Sequence, residues 1–93
     1  MKARVSSVRF TPARTGGGLL GWVSFRLEPG LLIDGVALRR SLEGDLVFSW
    51  PARKDGAGKV HHHVRPLDDA SRREIEAQLL EQIRPQVRTG GAV

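Results

Sequence analysis

The chain has 93 residues, 40% of them apolar and 27% charged, and no cysteine. That length gives one domain with a small core, that balance excludes a disordered chain, and the lack of thiols excludes disulfides, a thiolate metal site and a cysteine nucleophile. A formal charge of +5 and a pI of about 11.1 point to an anionic partner, with nucleic acid ahead of a membrane surface. Twelve of the fifteen cations are arginine, whose planar fork suits phosphate. No apolar run reaches the length of a membrane span. The opening MKARVSSVRF lacks the apolar region of a signal peptide, so a cytoplasmic location is expected.

Residues 4–10 read as a first strand. Val8 and Phe10 share a face with Val5 out of phase, which calls for a bulge or for burial on both faces. Pro12 ends it, and Thr15-Gly16-Gly17-Gly18 is a flexible connection. Residues 19–28 alternate cleanly: Val23, Phe25 and Leu27 make an apolar face, Trp22, Ser24 and Arg26 a mixed one. Pro29-Gly30 is a turn. Residues 31–39 form one long strand with a bulge at Asp34-Gly35, since a true turn there would leave segments too short for strands. After the polar turn 39–45 comes Leu46 to Trp50, with Leu46, Phe48 and Trp50 on one face. Pro51 cannot donate to a ladder and stops this strand or puts it at an edge. Residues 52–59, ARKDGAGK, read as a basic loop, and residues 60–65 as a strand with Val60, His62 and Val64 on one face and His61, His63 and Arg65 on the other.

After Pro66 the period changes to that of a helix. Asp68 or Asp69 caps it, or Ser71 with Glu74 does so as a capping box. Ile75, Leu79 and Ile83 form the apolar stripe with Ala77 and Leu80. Pro85 stops the helix. The predicted fold class is α+β: an antiparallel sheet of four to five strands followed by one C-terminal amphipathic helix. One domain spans residues 1–85, and 86–93 form a frayed or disordered tail.

This order of elements, with several short motifs, resembles the stage V sporulation protein G (SpoVG, septation protein) family over roughly residues 5–83. Val5-x-x-Val8-Arg9-Phe10 is similar to the family's V-x-x-V-R-L. Leu31-Leu32-Ile33-Asp34-Gly35-Val36 resembles its F-V-V-x-x-I. Leu46-Val47-Phe48-Ser49-Trp50-Pro51-Ala52-Arg53-Lys54 resembles its L-F-V-A-M-P-S-K-R, and Gly58 and Pro66-Leu67-Asp68 match its loop glycine and P-I-N in spacing. The chain departs from the pattern at Trp50, Ala52 and Arg65, where the family has methionine, serine and often histidine, and the Arg39-Arg40 turn holds one extra residue. The resemblance implies a SpoVG-like α+β domain, a homodimer formed through the sheet, and a bacterial regulator that binds DNA or RNA and influences gene expression and septation or sporulation.

The residues that carry this chemistry are Arg53, Lys54, Lys59 and Arg65, a phosphate clamp in and beside the basic loop, with Arg72 and Arg73 nearby. Cations on a glycine-containing loop approach phosphates closely, and each contact releases counterions. Arg72 and Arg73 lie in the first helical turn, where a cation costs roughly 0.3–1 kcal/mol against the helix dipole. That placement points to DNA phosphates or base edges, and the competing reading is a surface pair of Arg72 with Glu76. A zinc site needs three or four ligands, and His61-His62-His63 supplies at most a two-ligand start, so it reads as strand surface that gains charge in mild acid. Trp22 and Trp50 could stack bases but fit core or dimer interface better. No nucleophile–base pair has a recognisable spacing, and the glycine run lacks the Gly-Lys-Ser/Thr of a P-loop. The expectation is therefore a binding protein and not an enzyme, with no cofactor, metal, membrane or small-molecule substrate. The alternative is a protein–protein interaction module that uses a sheet edge and the tryptophan surface.

Overall fold

A computed structural model describes residues 3–14 and 16–90, the last four of these by backbone alone. Thr15 of the predicted glycine connection and residues 91–93 of the predicted tail lie outside the described residues. Six strands and one helix follow in order: β1 Val5–Pro12, β2 Leu19–Leu27, β3 Leu31–Arg40, β4 Leu46–Ser49, β5 Ala52–Lys54, β6 Val60–His62 and α1 Asp69–Gly90. Strands β1 to β4 form an antiparallel sheet in chain order, and β5 and β6 form a separate two-stranded ribbon. The fold is the expected α+β, with one C-terminal helix on one face of the sheet.

Two bulges explain the broken alternation. In β1, Ser6 pairs with Arg26 but Arg9 pairs with Ser24, so β1 holds one extra residue. Ser7 takes the left-handed conformation there, at φ 51°, and Val5 comes into phase with Val8 and Phe10. In β3, Ile33 pairs with Phe25 and Val36 with Val23. Gly35 at φ 78° absorbs the extra residue, as glycine does without steric cost, and both Ile33 and Val36 face the core. The core joins Val5, Val23, Phe25, Ile33, Val36, Leu38 and Phe48 of the sheet to Ile75, Leu79 and Ile83 of the helix.

The helix begins where Asp68 caps it: Asp68 Oδ1 accepts the Ser71 N–H at 2.8 Å. Ser71 is thus inside the first turn and does not open a capping box of its own. The helix does not stop at Pro85, contrary to expectation, but runs on to Gly90. A proline inside a helix denies the carbonyl four residues back its usual donor. Here tertiary bonds hold the helix on both sides of that break. Gln78, Gln82 and Gln86, four apart on one face, reach the unpaired edge of β1. Gln78 Oε1 accepts the Val5 N–H and Gln78 Nε2 donates to Ala3 O, both at 2.9 Å. Gln82 Nε2 donates to Val5 O at 3.0 Å. Gln86 Oε1 accepts the Phe10 N–H, and Gln86 Nε2 donates to Val8 O, again at 2.9 Å. Buried or half-buried main-chain groups need such partners, and the glutamines supply them where a fifth strand would.

The segment after Pro51 also differs from expectation. Residues 52–54 are not loop but β5, and β6 pairs with them and not with 46–50. Only residues 60–62 of the predicted strand 60–65 are strand. Pro51 has no N–H to continue the β4 ladder, and its carbonyl accepts from His63 N at 2.9 Å. The chain therefore leaves the main sheet at Pro51 and folds back on itself as an independent ribbon.

Candidate nucleic-acid interface

The ribbon is shaped by its turn. Gly56, Ala57 and Gly58 are the loop residues between Asp55 and Lys59, with Gly58 N donating to Asp55 O at 3.0 Å and Asp55 N to Lys59 O at 2.9 Å. Gly58 sits at φ 84°, which completes a three-residue hairpin loop. Asp55 organises it from within: Oδ1 accepts from both Ala57 N and Lys59 N at 2.9 Å, and Oδ2 pairs with His61 Nε2 at 2.7 Å. These bonds, His61 foremost and then the Lys59 and Ala57 amides, hold the Asp55 carboxyl below its ordinary value. The turn is thus fixed by a carboxylate that donors satisfy on two sides.

Register distributes the predicted cations. Arg53 lies opposite His61, on the face that also carries Asp55, while Lys54 lies opposite Val60 on the other face. Arg53 and Lys54 therefore do not form one clamp but serve two sides of a thin ribbon. Lys59 closes the turn, and Arg65 lies beyond β6 on the way to the helix. All four are exposed, and among the described residues none has a carboxylate within ion-pair distance. The ribbon and its exit thus hold four cations against a single acid, Asp55, which is engaged in the turn.

The helix start adjoins the base of this ribbon. The Trp50 indole, packed edge-on against Phe25 with ring centroids 6.0 Å apart, donates from Nε1 to Glu76 Oε2 at 2.9 Å. The other Glu76 oxygen lies 3.8 Å from Arg72, which also meets Asp69 at 3.3 Å. The surface pairing of Arg72 with Glu76 is present, so part of the Arg72 charge is balanced by its own helix. Arg73 is exposed. Among the described residues no three His, Cys, Asp or Glu side chains are grouped to hold a metal ion. His61 is occupied with Asp55.

A second basic surface was not anticipated. The sheet face away from the helix carries Arg9, Arg26 and Arg39 with Trp22, all exposed, and Trp22 is 44% exposed. Register places Thr11, Trp22, Ala37 and Ser49 in one row across the four strands, with Arg9 beside Ser24, Arg26 beside Leu32 and Arg39 beside Val47. The alternation of residues 22–26 already joined Trp22 to Arg26 on a mixed face. Arg9 lies on the side opposite Val8 and Phe10, and only the register of β1 with β2 brings it near Trp22.

Comparison of the chain with known protein families and with curated proteins finds no match. Among the described residues no helix is long and apolar enough to cross a membrane.

Proposed function

We propose that this protein is a small regulator that binds DNA or RNA through its basic ribbon and the adjoining helix start. The observation that carries the reading is the ribbon itself: four exposed cations, Arg53, Lys54, Lys59 and Arg65, with no acidic partner among the described residues, on a hairpin whose one carboxylate is spent on the turn. Unpaired cations on a projecting, preformed loop suit phosphates, which they neutralise with release of counterions. The motif order that resembles the SpoVG family supports the same reading, together with a homodimer and a cytoplasmic role in gene expression or septation. Two copies would double the cationic footprint and raise affinity by simultaneous contact.

A gel-shift titration across salt tests the proposal. Log affinity should fall linearly with log salt, by roughly 0.7–0.9 per phosphate contact. The Arg53→Ala/Lys54→Ala double variant should bind more weakly with a shallower slope. Wild-type binding by that variant would remove the ribbon from the interface. Insensitivity to salt would favour the rival reading, a protein-interaction module, for which the unpaired outer edge of β4 offers a strand-addition site.

A further inference from the structure

We propose that the uncovered face of the four-stranded sheet is a platform for single-stranded nucleic acid, with Trp22 stacking on a base and Arg9, Arg26 and Arg39 meeting the phosphates. The inference rests on the nucleic-acid reading above and adds both a second surface and the strandedness of the ligand. Three observations carry it.

The first is the row in which Trp22 stands. Its neighbours across the strands are Thr11 and Ala37, with Ser49 beyond. All are small, and Trp22 stays exposed among them. The other tryptophan is treated differently: Trp50 is half-buried, packed on Phe25 and hydrogen-bonded to Glu76. A domain this small has few large apolar groups to bury, and an indole left 44% exposed at the centre of a sheet is a stacking surface in search of a flat partner.

The second is charge. Arg9 on β1 and Arg39 on β3 lie diagonal to Trp22 on either side, roughly 7–8 Å away by sheet geometry, and Arg26 continues the line along β2. Among the described residues none of the three has a carboxylate within ion-pair distance. Strand alternation brings two acids to the same face: Asp34 at the β3 bulge, and Glu28, two residues beyond Arg26, whose carboxylate accepts from the Ser6 hydroxyl at 2.6 Å. Three arginines against two acids, neither of them within ion-pair distance of an arginine among the described residues, leave a positive surface around an exposed indole, which complements an anion that also carries aromatic rings.

The third is access. The helix covers the opposite face, where the core lies, and on this side Trp22, Leu32 and Val47 are exposed along with the arginines. A duplex keeps its bases paired and stacked on each other and offers no ring to Trp22. A single strand offers one base after another on a flexible, charged backbone.

The experiment uses the full chain and an oligothymidylate of about a dozen nucleotides, alone and annealed to its complement. Tryptophan emission and affinity are followed together. The single strand should quench emission in the wild type and not in Trp22→Phe, where Trp50 is the remaining fluorophore. Trp22→Ala should weaken single-strand binding about 10-fold, the size of one lost stacking contact, and Trp22→Phe should lose less. Arg53→Ala/Lys54→Ala should lower affinity yet keep the quench at saturation. Binding of the oligonucleotide with unchanged emission and with full affinity in Trp22→Ala would overturn the platform and leave the ribbon reading standing. Failure of any nucleic acid to bind would overturn both. Equal quenching by the duplex would overturn the single-strand assignment. A wild-type dimer that becomes monomeric in Trp22→Ala, with emission blind to the oligonucleotide, would assign this face to a second copy of the chain instead.

Discussion

Replacing Gln78 by alanine isolates the contribution of the glutamines that seal β1. Gln78 makes two main-chain bonds of 2.9 Å, accepting from Val5 N and donating to Ala3 O. Each such bond is worth about 0.5–1.5 kcal/mol net. Val5 is only 5% exposed, so water replaces the glutamine poorly at its amide, and an orphaned buried donor adds about 1 kcal/mol or more. Alanine is the better helix former, which returns at most roughly 0.5 kcal/mol. The expected loss is about 2 kcal/mol, and in a domain of this size that lowers Tm by roughly 8–16 °C. Thermal and urea unfolding followed by far-ultraviolet circular dichroism measure it, with an unchanged urea slope marking a pure stability effect. Gln82→Ala removes a single bond, to Val5 O, and should cost about half as much. The reasoning fails if Gln78→Ala melts with the wild type, or if Gln82→Ala is the more damaging of the two.

Three further outcomes are expected. Gly21→Ala should destabilise by about 1–3 kcal/mol, read as a lowered Tm, because a Cβ there would meet Thr11 O and the Phe10 ring, the latter at 2.7–2.8 Å. Trp50→Phe keeps the ring against Phe25 but loses the donor to Glu76, and should cost about 0.5–1.5 kcal/mol in urea unfolding. Asp68 titrates below the ordinary carboxylate value because the Ser71 amide and hydroxyl, and then Arg73, favour its charged form. Its contribution is therefore present above the ordinary carboxylate value and is lost as pH falls through the lowered one. Asp68→Asn, which caps without titrating, should flatten that part of the acid-unfolding curve, and an unaltered curve would deny Asp68 the role.

The strands and the helix were legible because their buried faces follow simple periods. Even the bulges in β1 and β3 announced themselves, as Val5 out of phase with Val8 and as Asp34-Gly35 inside an apolar run, while the irregularity at Leu19–Gly21 of β2 left no such sign. Pro85 misled because local propensity yields to tertiary bonds, here those of Gln82 and Gln86. The strand β5 was hidden because Ala52-Arg53-Lys54 has no buried side to give it a period; its partner is another exposed strand. For the candidate interface, the cations were visible as residues but their grouping was not. Whether Arg53 and Lys54 act together depends on residues 52–54 being a strand, whose neighbours face opposite sides, and whether Arg9 joins Trp22 depends on the register of β1 with β2. Neither is written in composition or spacing.

The glutamine contacts span 73 to 78 positions of sequence, nearly the whole chain. During synthesis β1 leaves the ribosome before the side chains that close its edge. Until Gln78, Gln82 and Gln86 emerge, the nascent chain carries a bare strand edge able to pair with another copy. A chain ending at Ala77 should reproduce that state and sediment as aggregate where the full chain stays dispersed. The order of translation thus leaves this sheet most vulnerable just before its helix is made.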